Sequence, residues 1–190
     1  MSMAETVTWS AHFLVEKYDP DQTAWVRRQS GMDAPQGHTF TALGVRPFAV
    51  VEHPRNLITT NGLNRIANLL IGSGQAATAT AVRIGVGNSS TAAAAGQTDL
   101  QAASGSANRW FQVMDSTFPS VSGAVATFKA SVASGDGNFA WQEWCLDIGT
   151  PTVSSGATVN ALMLNRKVAS NGTKSSGSVW VATATISFSG

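Results

Sequence analysis

The stretch Ser178 to Ser189, SVWVATATISFS, constrains this chain more than any other. Trp180, Ala182, Ala184, Ile186 and Phe188 fall on one face. Val179, Val181, Thr183, Thr185 and Ser187 fall on the other. A period of two is the geometry of a pleated strand. The β-branched residues here are at home in a strand and disfavoured in a helix. A strand with one such apolar face needs paired neighbours and a layer against it, and everything upstream must supply them.

Taken from its start, the chain offers suitable partners. Val7, Trp9, Ala11, Phe13 and Val15 line one face of a strand. Tyr18-Asp19-Pro20-Asp21 carries turn chemistry, so Gln22 to Arg28 reads as the returning strand of a hairpin. Ser30 to His38 reads as a loop and Phe40 to His53 as an extended region. Pro47 and Pro54 limit that region to sheet edges or strand ends, because proline cannot donate to a ladder. One helix is predicted over 61–71. Leu63, Ile66, Ala67, Leu70 and Ile71 recur with helical period, Thr60 or Asn61 can cap its start, and Gly72 can end it. The stripe predicts a helix docked on a sheet by Leu63, Ile66 and Leu70, with Gly62 a slight weakness.

Ala81 to Val86 reads as a short strand running into Gly85-Val86-Gly87, and Thr98 to Ala102 as a turn of helix. Further strands are predicted at Arg109 to Met114, Ala124 to Val132, Phe139 to Ile148 and Ala161 to Val168, the last with Leu162 and Leu164 inward. A parity change places a bulge near Gln142. Gly135 to Asn138 reads as a turn, Pro151 to Thr158 as a loop, and Asn171-Gly172 as the hairpin turn into the final strand. The fold class is therefore mainly β: an antiparallel β-sandwich or jelly-roll-like domain with one amphipathic α-helix. Residues 1–55 form an N-terminal hairpin and extended arm, packed on or continuing the main domain. Residues 56–190 form the β-sandwich domain.

The chemistry-bearing residues do not gather into a reactive motif. Gly85 and Gly87 lack the third glycine of a dinucleotide fingerprint, since position 90 is Ser90. His12, His38 and His53 have no ligand partners at metal spacing. Cys145, the single cysteine, sits between Trp144 and Leu146 and reads as a buried structural thiol. Glu143 and Asp147 lie ~13 Å apart along a strand, too far for paired acid–base work. They read as surface charges or as partners of Arg166 and Lys167. No catalytic residue, cofactor or metal is expected, and the chain does not read as an enzyme. Charged residues are 12% of the chain and net charge is +1, against ~25% charged in typical domains. That balance excludes nucleic acid as the main partner, and no run of residues is apolar for the length of a membrane span. The N-terminus lacks the pattern of a secretion signal. Six tryptophans remain: Trp141, Trp144 and Trp180 suit a core, and Trp9, Trp25 and Trp110 suit a core, a subunit interface or a sugar-stacking face.

Several blocks together resemble a family of small tailed-bacteriophage virion proteins. They are NLITTNGLNRIANLLIG (Asn56 to Gly72), IGVGNSSTAAAAGQTDLQA (Ile84 to Ala102), ATFKASVASGDGNFAWQEWCLDI (Ala126 to Ile148), LMLNRKV (Leu162 to Val168) and GTKSSGSVWVATATISFS (Gly172 to Ser189). The resemblance implies a non-enzymatic virion structural protein, assembled in the host cytoplasm and bound to other virion proteins. A capsid decoration or cement protein on the major capsid protein is the first expectation, and a tail fibre or tail accessory the second. A carbohydrate-binding module for host attachment is the expectation from another class. Self-association follows from the same reading, with a trimer as the expected form. The N-terminal hairpin is the candidate contact arm, and its candidate interface residues are Trp9, Trp25, Arg27 and Arg28, because Trp and Arg are favoured interface anchors.

Overall fold

The computed structural model describes residues 8–148, 153–154, 157–158 and 163–190. Its elements are β1 (Thr8–Tyr18), α1 (Pro20–Ser30), α2 (Gly37–Ala42), β2 (Ala49–Pro54), β3 (Leu57–Ile58), α3 (Thr60–Leu70), β4 (Val82–Gly87), β5 (Arg109–Val113), β6 (Ser120–Ser122), β7 (Val125–Val132), β8 (Glu143–Ile148), β9 (Val153–Ser154), β10 (Ala157–Thr158), β11 (Met163–Val168) and β12 (Val179–Ser189). Two antiparallel five-stranded sheets dominate, ordered β2-β1-β12-β7-β6 and β3-β11-β8-β4-β5. The short pair β9–β10 is hydrogen-bonded into neither.

Strand β12 sits at the centre of the first sheet, as its alternation demands. It pairs with β1 along its whole length, from Val179 opposite Tyr18 to Ser189 opposite Thr8, and with β7 on its other edge. Its inner face, Trp180, Ala182, Ala184 and Ile186, joins Phe13 and Val15 of β1 and Phe128 of β7 in the main core. Val82, Ile84 and Val86 of β4 and Trp144, Leu146 and Ile148 of β8 meet them from the second sheet. The Phe13 and Trp144 rings stack across this seam with centroids 4.1 Å apart. Burial of such side chains, at ~1.5–3 kcal/mol each, is what holds the two layers together.

Each sheet is also covered on its outer face. Over the first sheet, Val179 and Val181 of β12 bury against Tyr18, Val26 of α1 and Phe40 of α2. The returning strand expected over Gln22 to Arg28 is therefore a helix, α1. Asp19 accepts a bond from the Gln22 backbone N–H while the Gln22 side chain accepts from the Asp19 N–H, and Pro20 stands in the first turn. That is a capping box followed by a helix-compatible proline. The Asp-Pro signal read as a turn was the start of a helix.

Other expectations are corrected by the same structure. Phe40 lies in α2, so the extended region begins only at Ala49. Thr98 to Ala102 holds no helix. Strand β8 starts at Glu143, and Phe139 and Trp141 belong to the approach to it; the register break lies in β11 between Met163 and Asn165. Asn171-Gly172 joins β11 of one sheet to β12 of the other, so it is a crossing and not a hairpin. Parts of the loop expected over Pro151 to Thr158 form β9 and β10. Val7, Ala161 and Leu162, expected on inward strand faces or at a strand start, lie outside the described residues, whereas Leu164 is buried in the core.

Candidate functional site

The residues singled out as an interface do not come together. Trp9 stands near the start of β1, and Trp25, Arg27 and Arg28 stand on α1, beyond its end. Trp9 pairs with Phe188 at one end of β1, whereas Val26 of α1 packs against Tyr18 and Val179 at the other end, nine residue steps or ~30 Å away along the strand. Trp9 packs edge-on against Phe188, with centroids 5.4 Å apart, and its indole N–H donates to Asn56 Oδ1. Trp25 is 40% exposed. Arg27 lies 3.4 Å from Asp33 in an exposed pair, a contact worth about 0–1 kcal/mol, and Arg28 is exposed. The strand that precedes these residues is built into the first sheet between β2 and β12.

The outer face of the second sheet hides a polar network that sequence reading placed partly at the surface. Glu143 and Arg166 are fully buried, 2.6 Å apart. Glu143 also accepts bonds from the backbone N–H groups of Gln101 and Ala102, at 3.1 and 2.7 Å. Arg166 donates onward to Gln97 Oε1 and to the Thr91 carbonyl. Arg109 and Asp99 form a second pair at 2.6 Å. These bonds pin the loop between β4 and β5 onto the sheet. Gly87 makes the approach possible, since a Cβ there would fall 2.5 Å from Glu143 Oε1. Bonds on every side spare the buried pair the cost of an uncompensated charge. Cys145 lies beneath the same loop with Leu100, Phe111 and Met163. Burial, joined by the negative charges of Asp147, Asp99 and Glu143, pushes its thiol well above the usual range, so it is held as a neutral thiol.

Helix α3 presents the surface that needs an explanation. It forms where the periodicity places it, capped by Thr59, whose hydroxyl accepts from the Gly62 N–H. Its orientation is not the expected one. Leu63 is 56% exposed, Leu70 83% and Ile71 80%. The least exposed positions are Gly62, which is buried, and Asn61, Arg65 and Ile66, which are half-buried. Positions advance ~100° per residue around a helix, so the docked side is turned roughly a quarter-turn from the centre of the apolar stripe. Gly62 is the reason. A Cβ there would meet the Leu164 carbonyl oxygen at 2.0 Å, so only glycine lets the helix backbone approach β11 so closely. Thr59 fastens the contact by donating to the Met163 carbonyl at 2.6 Å. The glycine read as a weakness is the docking point. The expectation that Leu63 and Leu70 dock is overturned, and only Ile66 packs on the core.

The exposed stripe is flanked by Asn61, Asn64 and Asn68, and Arg65 is the one charge on the helix. Arg65 donates to the Gln75 carbonyl. Two edges of the first sheet add apolar surface: Val50 of β2 is 50% exposed and Val121 of β6 is 74% exposed. Among the described residues, no three of His, Cys, Asp and Glu gather where they could share a metal ion. No described helix is long and apolar enough to cross a membrane. Comparison with protein-family models, curated proteins and solved structures finds no match for this chain.

Proposed function

We propose that this protein is a structural subunit of a tailed-bacteriophage virion, works without catalysis, and decorates the assembled head by docking the apolar face of α3 onto a neighbouring subunit of the shell. The observation that carries this reading is the stripe of Leu63, Leu70 and Ile71, left in solvent by a helix anchored through Gly62, about a quarter-turn away. Exposed apolar surface concentrated on one rigid element marks an interaction site. The stripe has no acid and one tethered base beside it, so a partner needs no matching charge. A subunit that binds only the assembled shell stabilises it by mass action. The sequence blocks that resemble small virion proteins include α3 itself and support the same reading.

Immunogold labelling of purified virions tests the location: head labelling is expected, and label confined to the tail would move the protein to the tail-accessory class. The docking surface is tested by adding Leu70→Asp protein to undecorated heads. Loss of occupancy with an unchanged melting temperature is expected. Wild-type occupancy would remove α3 from the interface.

A further inference from the structure

A second site lies away from α3, where the edge strand β5 meets the turn between β7 and β8. Lys174 is buried beneath that turn. Its Nζ donates to the carbonyls of Ala133 and Asp136, both at 2.8 Å, and to Asn138 Oδ1 at 2.9 Å. All three ammonium donors are thus used. Burying a cation is costly unless it is fully bonded, and here the bonds fix the backbone of a surface turn. Asn138 Nδ2 adds a bond to the Ser134 carbonyl at 3.2 Å. Across from the turn, Trp110 is half-buried, and its indole N–H donates to Gln112 Oε1 at 2.9 Å. The ring is therefore fixed as well.

Between turn and ring runs an open cleft of about 490 Å³, lined by Ser106, Trp110, Gly135, Asp136, Gly137 and Asn138. The Asp136 carboxylate accepts no hydrogen bond and forms no ion pair among the described residues. The cleft thus offers the open part of a fixed indole that packs on the core with its remainder, the Asp136 carboxylate and the exposed hydroxyl of Ser106. No cation lines it, so an anion finds no partner there. Lys174 lies under the turn and offsets the charge of Asp136, which weakens the pull on a cation. A neutral pyranose suits what is left. Its C–H face packs on an indole, and its hydroxyls donate to a carboxylate and exchange bonds with a serine. Few placed polar groups beside an aromatic wall are the usual make-up of a small-ligand site.

We infer that the Trp110–Asp136 cleft is a binding site for a neutral saccharide, with Lys174 positioning the turn that presents Asp136. The site is independent of the proposed docking face. The test is ¹⁵N-resolved NMR of the full chain, titrated with methyl glycosides of glucose, galactose, mannose, rhamnose and N-acetylglucosamine, with choline and inorganic phosphate as controls. At least one glycoside is expected to shift the Trp110 indole signal together with the backbone of Gly135 to Asn138. Asp136→Ala is expected to weaken that glycoside about tenfold or more, a change of one decade in Kd, with an unchanged melting temperature. Trp110→Ala is expected to abolish binding; should that variant not fold, Asp136→Ala alone decides. The inference is overturned if no glycoside moves these signals, if only choline or phosphate does, or if Asp136→Ala binds as the wild type does.

Discussion

Along β12, Trp180, Ala182, Ala184 and Ile186 are all buried, whereas along α3 Leu63, Leu70 and Ile71 stand in solvent. Both segments carry a regular apolar pattern. The difference comes from what each backbone needs. A strand leaves its N–H and C=O groups unpaired until neighbours supply partners, so β12 must lie between β1 and β7. Once it is there, its alternation decides which face meets the other sheet. A helix satisfies its own backbone. It is free to dock by any side that gives a close fit, and in α3 that side is Gly62 against Leu164. Periodicity therefore fixes the type of both elements but the buried face of only one.

This contrast can be broken by substitution. The largest effect is expected at β12. Ala184→Asp puts a carboxylate into the closed seam between the sheets, with an expected loss of ~4 kcal/mol or more. Thermal unfolding followed by circular dichroism reads it, and a native-like melting curve would show that the face is not closed. Gly62→Ala comes next. A methyl group at that close approach should cost ~1–3 kcal/mol through overpacking. It should also raise hydrogen exchange across Thr60 to Leu70 more than elsewhere. Uniform protection would show that the helix has another anchor.

A third test sharpens the picture around β12, whose approach is fixed by Lys174. Burial pushes the Lys174 ammonium down to about 8 from its ordinary 10.5, with Asp136 opposing. Between those values the unfolded chain holds a proton that the folded chain has lost, so stability rises with pH. The rise should be seen from about 8, and it competes above 9.0 with Cys145, whose raised thiol makes stability fall as the unfolded thiol ionises. Urea unfolding at a series of pH values should show the rise in the wild type and a flatter profile in Lys174→Met. Equal profiles would mean that the amine keeps its charge throughout. The smallest effect on stability is expected at α3. Leu70→Asp should stay within ~0.5 kcal/mol of the wild type. A large loss would mean that the exposed stripe is packed in the isolated protein.

Much of the first sheet was legible. The alternations of Trp9 to Val15, Ala126 to Val132 and Trp180 to Ile186 each lead directly to strands of one sheet. Helix α1 was legible too, but in another signal: Asp19, Pro20 and Gln22 form a capping box and helix start, which a turn reading hides. Strand β6 carries only three residues and no pattern from which to find it. The cleft beside Trp110 could not be found from spacing, because Trp110, Asp136 and Lys174 come from three separate segments.

By itself the sequence determined that this chain is mainly β, that residues near 60–71 are helical, and that β12 has one face for a core. Those properties depend on side-chain period and local caps, which act between residues close along the chain. Tertiary structure alone decided that Glu143 and Arg166 are buried together, that Gly62 and not Leu63 docks α3, and that Asn171-Gly172 crosses between sheets. Each of these depends on which distant backbone lies within a few ångströms, and no local periodicity encodes that distance.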